Sequence, residues 1–149
     1  MRIELESEAG VLRFLVKSTG AKSCFFDFDV FCDWNKKFSG CLPDRLFCSL
    51  NFDDIKRLVE YFHRHKLSVL ADKVDGALVF MPLDNDFQIR FMAGEADSLE
   101  EGHFWIVFLF NFGGKDEDSS NVYFGFEASI EFSAVDDFCS SLMGLIPDK

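Results

Sequence analysis

The feature that most constrains the fold is an alternating segment near the C-terminal end of the sequence. In residues 122–132 every second position is apolar, and the positions between carry tyrosine, glycine, serine or glutamate. Alternation over this length predicts a β-strand with one buried and one wetter face. The apolar period then becomes helical, and Ser133 followed by Asp136 predicts the start of a helix, as in a capping box. Its apolar positions are Val135, Phe138, Cys139, Leu142 and Leu145.

Further strands are predicted upstream, from alternating or short apolar runs bounded by turn residues. They cover residues 2–6, 11–16, 24–32, 45–50, 77–81, 87–92 and 103–112. The run at 103–112 is almost continuously apolar, which predicts a central strand covered on both faces. The acidic stretch 94–102 and the stretch 113–121 are predicted to be the connections on either side of it.

A second helix is predicted after the strand at 45–50. Asn51 is a suitable N-cap, and Asp53 and Asp54 fall in the first turn, where negative charge interacts favourably with the helix dipole. The basic stretch 63–66 is predicted to occupy the last turn for the complementary reason. The apolar stripe of this helix consists of Ile55, Leu58, Val59 and Phe62.

The order of elements is strands, helix, strands, helix, without the regular alternation of a doubly wound parallel sheet. This order predicts an α+β fold: a largely antiparallel sheet built from hairpins and covered by two amphipathic helices. The length of 149 residues predicts a single domain over residues 1–149. The 20 phenylalanines carry no polar group, so we expect them to be packing units of the core.

Charge and cysteine usage limit the partners. The formal charge of −11 argues against nucleic acid and acidic membranes as partners, since phosphate neutralisation needs a basic surface. No apolar run is long enough to span a membrane. The five cysteines include no Cys-x-x-Cys pair, and the charged N-terminal sequence does not resemble a signal peptide, which favours the cytoplasm. No pattern specifies an oligomeric state.

Groups that could carry chemistry are few. Asp27 and Asp29 match the Asp-x-Asp strand end of haloacid dehalogenase phosphatases, which work beside magnesium. The residues that should follow Asp29 and the βαβ order are missing, so solvent-facing aspartates on an alternating strand are the better interpretation. Asp84 and Asp86 lack the spacing of a calcium loop and predict a hairpin turn. We therefore predict no catalytic residue, no metal site and no cofactor.

The acidic loops are the remaining candidates for a site. A solvated loop that confers solubility is the favoured interpretation of each, and the functional hypothesis is that one of them attracts a basic partner, together with the aspartates of the strand at 24–32 or with Asp53 and Asp54. The predicted partner-binding residues are Asp97, Glu100, Glu101, Asp116, Glu117, Asp118, Asp27 and Asp29.

The order of these elements resembles a known family. An aromatic, acid-rich strand runs into Asp33-Trp-Asn35, and a short strand leads to the helix start at 51–55. The stretches 80–84 and 87–91 follow, and a late alternating strand enters the final helix. Over residues 10–146 this pattern resembles the WapI-like immunity proteins of bacterial contact-dependent toxin systems.

The resemblance implies a cytoplasmic, non-catalytic protein that binds a cognate toxin domain, often a nuclease, and blocks it. It transfers no site residue, because toxin contacts differ in each pair. The alternative hypothesis is a small-molecule-binding or enzymatic domain with a Phe-lined pocket, which the surplus of phenylalanine would favour.

Overall fold

The fold consists of two successive units, each with strands followed by a helix. The computed structural model describes residues 1–31, 46–113 and 120–147, and all structural statements concern these. The first unit comprises β1 (Arg2–Ser7), β2 (Gly10–Thr19), β3 (Ser23–Phe31), β4 (Leu46–Asn51) and α1 (Phe52–Leu70). The second comprises β5 (Val79–Phe80), β6 (Phe87–Ala96), β7 (Gly102–Asn111), β8 (Tyr123–Glu131) and α2 (Phe132–Met143).

The strands of each unit form an antiparallel meander. Sheet A has the order β1-β2-β3-β4 and sheet B the order β5-β6-β7-β8, with neighbours in the sequence paired throughout the described residues. The predicted α+β class, antiparallel and built from hairpins, is confirmed, with the strands divided between two four-stranded sheets.

The two sheets are joined through a core of phenylalanine rings. Phe14 on β2 lies with its ring centroid 6.0 Å from that of Phe87 and 6.4 Å from that of Phe108, both on sheet B. It also lies 5.4 Å from Phe138 on α2. Phe62 on α1 is 5.8 Å from the same Phe138 ring. One buried cluster therefore includes both sheets and both helices, and each such ring pair contributes about 0.5–1.5 kcal/mol beyond its area burial.

The edges of the sheets also meet. At one edge, the Glu8 N–H donates to the Ser129 carbonyl at 3.0 Å, which ties the β1–β2 turn to β8. At the other, the Ser49 N–H on β4 donates to Asp86 Oδ2 at 2.8 Å, at the start of β6. The inner faces of the sheets consequently enclose the core, while their outer faces are directed to solvent.

Sheet B differs from the sequence-based prediction at β7. The strand was expected to be covered on both faces, but only the face carrying Phe104, Ile106, Phe108 and Phe110 is fully buried, and Trp105 is 39% exposed. That prediction is wrong because the helices pack on the inner face of the sheet alone. The apolar run reflects a buried face with half-buried residues between.

The predicted connection at 94–102 is also shorter than expected, because its two ends belong to strands. β6 continues to Ala96 past a register shift between Phe91 and Gly94, so only residues 97–101 form the turn into β7. Gly94 is required there, since a Cβ atom would lie 2.1 Å from the His103 carbonyl oxygen. The glycine that suggested a loop in the sequence instead marks a close approach of two strands.

The helix boundaries confirm one predicted cap and correct two predictions. Asn51 Oδ1 accepts from the Asp54 N–H at 2.7 Å and caps α1 as expected. Because α1 continues to Leu70, the basic stretch 63–66 lies one turn before its end. Ser133 is not the N-cap of α2, which begins at Phe132 without a side-chain cap. The helix begins before Ser133 because Phe132 is itself buried, with its ring centroid 6.0 Å from that of Phe104.

Two buried polar side chains in the second half of α1 connect it to the rest of the fold. Lys66 Nζ donates to Asp136 Oδ1 at 2.6 Å and lies 4.9 Å from the Phe132 ring centroid, which ties α1 to α2. His65 Nε2 lies 2.7 Å from the Met92 carbonyl oxygen, at the register shift of β6. Burial lowers the pKa of His65 below its ordinary value, only partly opposed by this backbone hydrogen bond.

Removing the acceptor of Lys66 is expected to destabilise the protein. Asp136→Asn leaves a buried ammonium group without its charged partner, at a cost of roughly 1.5–3 kcal/mol in the free energy of unfolding, measured by urea denaturation. Asp137→Asn, at the exposed neighbouring position, is the control and should change stability by less than about 0.5 kcal/mol. Equal effects of the two substitutions would show that the helix–helix ion pair contributes nothing.

The lowered pKa of His65 predicts acid sensitivity. The unfolded chain binds a proton at His65 near pH 6.5 and the folded chain only at lower pH, so the free energy of unfolding falls as the pH drops below about 6.5. This group contributes a slope of at most about 1.4 kcal/mol per pH unit. In urea titrations between pH 5 and 8, His65→Gln should lose this contribution. His63→Gln, at an exposed position, should retain the pH dependence. An unchanged slope in His65→Gln would contradict the assignment of this pH dependence to His65.

Candidate functional site

The predicted site residues on β3 are ion-paired within sheet A. Arg13 lies between Glu4 and Asp29 in the register of the sheet, with Nε 2.8 Å from the Glu4 carboxylate and Nη1 3.3 Å from that of Asp29. These two hydrogen bonds raise the pKa of Arg13. Lys17 Nζ lies 2.8 Å from Asp27 Oδ2. The outer face of sheet A thus neutralises much of its own acidic charge.

Of the two aspartates in the first turn of α1, Asp54 is buried and Asp53 is exposed to solvent. Asp54 is buried and accepts hydrogen bonds from Arg57 Nη2 at 2.7 Å and from the Leu83 N–H at 3.3 Å. It holds the helix against the β5–β6 turn. The side chain of Asp53 is 97% exposed. Asp54 is therefore a structural residue that cannot reach a partner.

The segment 84–86 forms the predicted hairpin turn. The Asn85 N–H donates to the Pro82 carbonyl at 3.0 Å, and Asn85 adopts a positive φ of 51°. Asp86 accepts from the Ser49 N–H, so its carboxylate serves the contact between the sheets. Among the described residues, no group of three or more His, Cys, Asp or Glu side chains is arranged to hold a metal ion.

Cys24, Cys48 and Cys139 are buried, and Cys24 and Cys139 carry free thiols. Burial raises the pKa of Cys139 to about 12 and also raises that of Cys24. A thiol in such surroundings stays protonated at neutral pH and is a poor nucleophile. Cys32 and Cys41 lie outside the described residues.

The turn between β6 and β7 carries the predicted acidic loop. The Asp97 N–H donates to the Glu101 carbonyl at 2.9 Å, and Ser98 Oγ accepts from the N–H groups of Glu100 and Glu101, each at 3.1 Å. These bonds hold a tight turn whose carboxylates are exposed. The other predicted loop residues, Asp116, Glu117 and Asp118, lie outside the described residues.

The acidic turn continues into a groove on the outer side of the molecule, where β1 and β8 meet. Two adjoining cavities of about 630 and 270 Å³ share His103 and Glu131. We call their combined lining the acidic groove. The larger cavity is lined by Glu6, Ser7, Glu8, His103, Trp105, Ser129, Glu131, Ser133 and Ala134. The smaller is lined by Glu95, Ala96, Asp97, Glu101, Gly102, His103 and Glu131.

Strand register explains why these residues come together. His103 on β7 lies opposite Glu95 on β6 and opposite Glu131 on β8, which makes a row of three across the outer face of sheet B. Trp105, two residues further along β7, projects from the same face and lies opposite Ser129. The β1–β2 turn forms the wall opposite β7 and is held there by its hydrogen bond to β8. The start of α2 closes the groove at one end.

The acidic groove carries negative charge that is not balanced by ion pairs within the described residues. Its carboxylates are exposed and make no ion pair with any described residue, in contrast to those of Glu4, Asp27 and Asp29 on sheet A. They belong to Glu6, Glu8, Glu95, Asp97, Glu101 and Glu131. His103 is the basic residue of the lining and makes no ion pair with them. Such a surface attracts cations.

The structure brings together part of the predicted site and adds residues that the sequence did not identify. Asp97 and Glu101 line the groove; Glu100 lies in the same turn outside the lining, and Asp27 and Asp29 lie on sheet A. Glu6 and Glu8 were missed because they are distant in the sequence. Trp105 could have been found, since alternation along β7 places it on the same face as His103.

The groove also differs from the pocket of the alternative hypothesis. Neither cavity is lined by phenylalanine, because the phenylalanine side chains of sheet B point to its inner face, with Phe104, Phe108 and Phe110 fully buried. No helix among the described residues has the length and apolarity needed to cross a membrane. Comparison of the chain with protein families, curated proteins and solved structures gives no match.

The negative potential of the groove can be tested at Trp105. In a Trp34→Phe variant, Trp105 is the remaining tryptophan, and the ratio of caesium to iodide quenching should be higher for it than for free N-acetyltryptophanamide. At low ionic strength the difference is expected to be about twofold or more, since a surface potential of about one kT already enriches cations to that extent. The double substitution Glu8→Gln and Glu131→Gln should reduce the ratio of caesium to iodide quenching. A quenching ratio equal to that of free N-acetyltryptophanamide would contradict the negative potential of the groove.

Proposed function

We propose that this protein is a non-catalytic, cytoplasmic immunity protein that binds and neutralises a basic toxin domain, such as a nuclease. The observation that carries the proposal is the acidic groove, a concave surface whose carboxylates have no counter-charge among the described residues. A basic toxin surface complements it. The resemblance of the chain order to WapI-like immunity proteins supports the same conclusion.

The distribution of charge supports a partner surface in preference to general solubility. Sheet A pairs Glu4, Asp27 and Asp29 with arginine and lysine, so acidic residues on this protein are not simply left unpaired wherever they are exposed. Single unpaired carboxylates, such as those of Glu60, Asp72 and Asp137, are scattered over the described surface, whereas six of them converge on one groove. Gathered charge of one sign in a concavity focuses the field and accelerates association with a cation of opposite sign.

The exposed tryptophan supports a protein as the partner. Trp105 is 39% exposed inside the groove lining, although a large aromatic side chain is more stable when buried. Tryptophan is enriched at the energetic centres of protein interfaces. A partner that covers Trp105 and neutralises the surrounding carboxylates would gain binding free energy from apolar burial and from charge pairing.

Co-expression with the product of the adjacent upstream gene tests this function. We expect a stable complex that protects cells from that product, and an association rate that falls by about tenfold or more as salt is raised from about 0.01 to 0.15 M. Combined Glu6→Gln, Glu8→Gln and Glu131→Gln substitutions should lower the association rate. Absence of any complex or protection with neighbouring gene products would overturn the proposal.

A further inference from the structure

The side-chain arrangement around Trp105 has a specificity beyond general negative charge. On one side the ring faces Ser129 across the β7–β8 pair, a residue too small to cover an indole. On the other side, the register shift between Phe91 and Gly94 interrupts the pairing opposite Trp105. The groove therefore exposes an aromatic ring at the centre of a sheet, with no large neighbour directly paired to it.

Carboxylates lie within reach of this ring on the same face. Residues two apart on a strand are separated by roughly 7 Å, so the row of Glu95, His103 and Glu131 runs beside the indole. The β1–β2 turn supplies Glu8 from the opposite wall, held in place by the hydrogen bond from its N–H to the Ser129 carbonyl. An occupant of the groove is flanked by acidic groups on two sides.

We infer that the acidic groove binds an arginine side chain of the partner protein, stacked on Trp105 and hydrogen-bonded to the carboxylates of Glu131 and Glu8. The inference names the recognition chemistry of the surface assigned under the proposed function and rests on that function for the partner's identity. A guanidinium group satisfies both halves of the site, because it is planar, stacks on aromatic faces and binds carboxylates through a two-pronged fork. Lysine offers a compact charge that cannot stack in the same way.

The size of the groove fits this occupant. The larger cavity, about 630 Å³, lies within the range of sites that bind a discrete chemical group, and it is open along one side as an incoming loop requires. Phosphate-bearing ligands are disfavoured by the same carboxylates that favour arginine. The occupant is consequently a loop of a basic protein that presents an arginine.

A peptide comparison on the full chain tests the inference directly. A labelled glycine-serine peptide with one central arginine is titrated by fluorescence anisotropy at low salt, beside matched peptides with lysine or citrulline at that position. The arginine peptide should bind about 2–5-fold more tightly than the lysine peptide, as expected for cation–π stacking at an exposed site. The citrulline peptide, which lacks the charge, should not bind measurably.

Substitutions in the groove separate stacking from charge. Trp105→Leu keeps an apolar side chain but removes the ring, and should abolish the preference for arginine over lysine. Glu131→Gln should weaken both peptides, whereas Glu60→Gln, an exposed carboxylate on α1, is the matched charge control and should leave them unchanged. Circular dichroism confirms that each variant is folded. Equal affinities for arginine and lysine, or equal effects of the Glu131 and Glu60 substitutions, would overturn the inference.

The same variants distinguish this inference from the proposed function. If a neighbouring toxin binds wild type, Trp105→Leu and Glu131→Gln equally well, the groove is not the arginine site and the immunity function stands. If the arginine peptide binds as expected and no toxin partner exists, the groove assignment stands and the immunity function fails.

Discussion

The fold depends on the contact of Phe14 with both the opposite sheet and α2. A four-stranded meander with one apolar face is not stable until that face is covered. Here each sheet covers part of the other, and the helices cover the remainder, so neither unit buries its inner face alone. Phe14 lies at the centre of this arrangement, with its ring centroid 6.4 Å from that of Phe108 and 5.4 Å from that of Phe138.

The candidate site follows from the same arrangement. Because the inner faces are used for the core, the polar residues of every strand are placed on the outside. On sheet A, Arg13 lies opposite Asp29 in the register, and the side chain of Lys17 reaches the carboxylate of Asp27. Sheet B places Glu95 and Glu131 on either side of His103 instead. The contact of β1 with β8 then adds the carboxylates of the β1–β2 turn, and a concave acidic surface results.

The errors of the sequence-based prediction have a common physical cause. Ser133 and the basic stretch 63–66 were assigned from local capping and dipole rules, yet burial of Phe132 and Val69 moved both helix boundaries. Gly94 was interpreted as a loop residue, but the close approach of β7 demands it within a strand. In each case a tertiary contact of larger free energy outweighed a local preference worth about 1 kcal/mol or less.

The sequence by itself determined the strand and helix order, the antiparallel hairpin class and the buried face of an alternating strand such as β8, because hydrophobic period and turn residues are local properties. It also determined that acidic charge exceeds basic charge. Only the tertiary structure decided which carboxylates are paired and which converge. Asp27 and Asp97 look alike in the sequence, but the first lies beside Lys17 and the second lines the groove. That difference depends on strand register and on the meeting of β1 with β8, which join residues far apart in the chain.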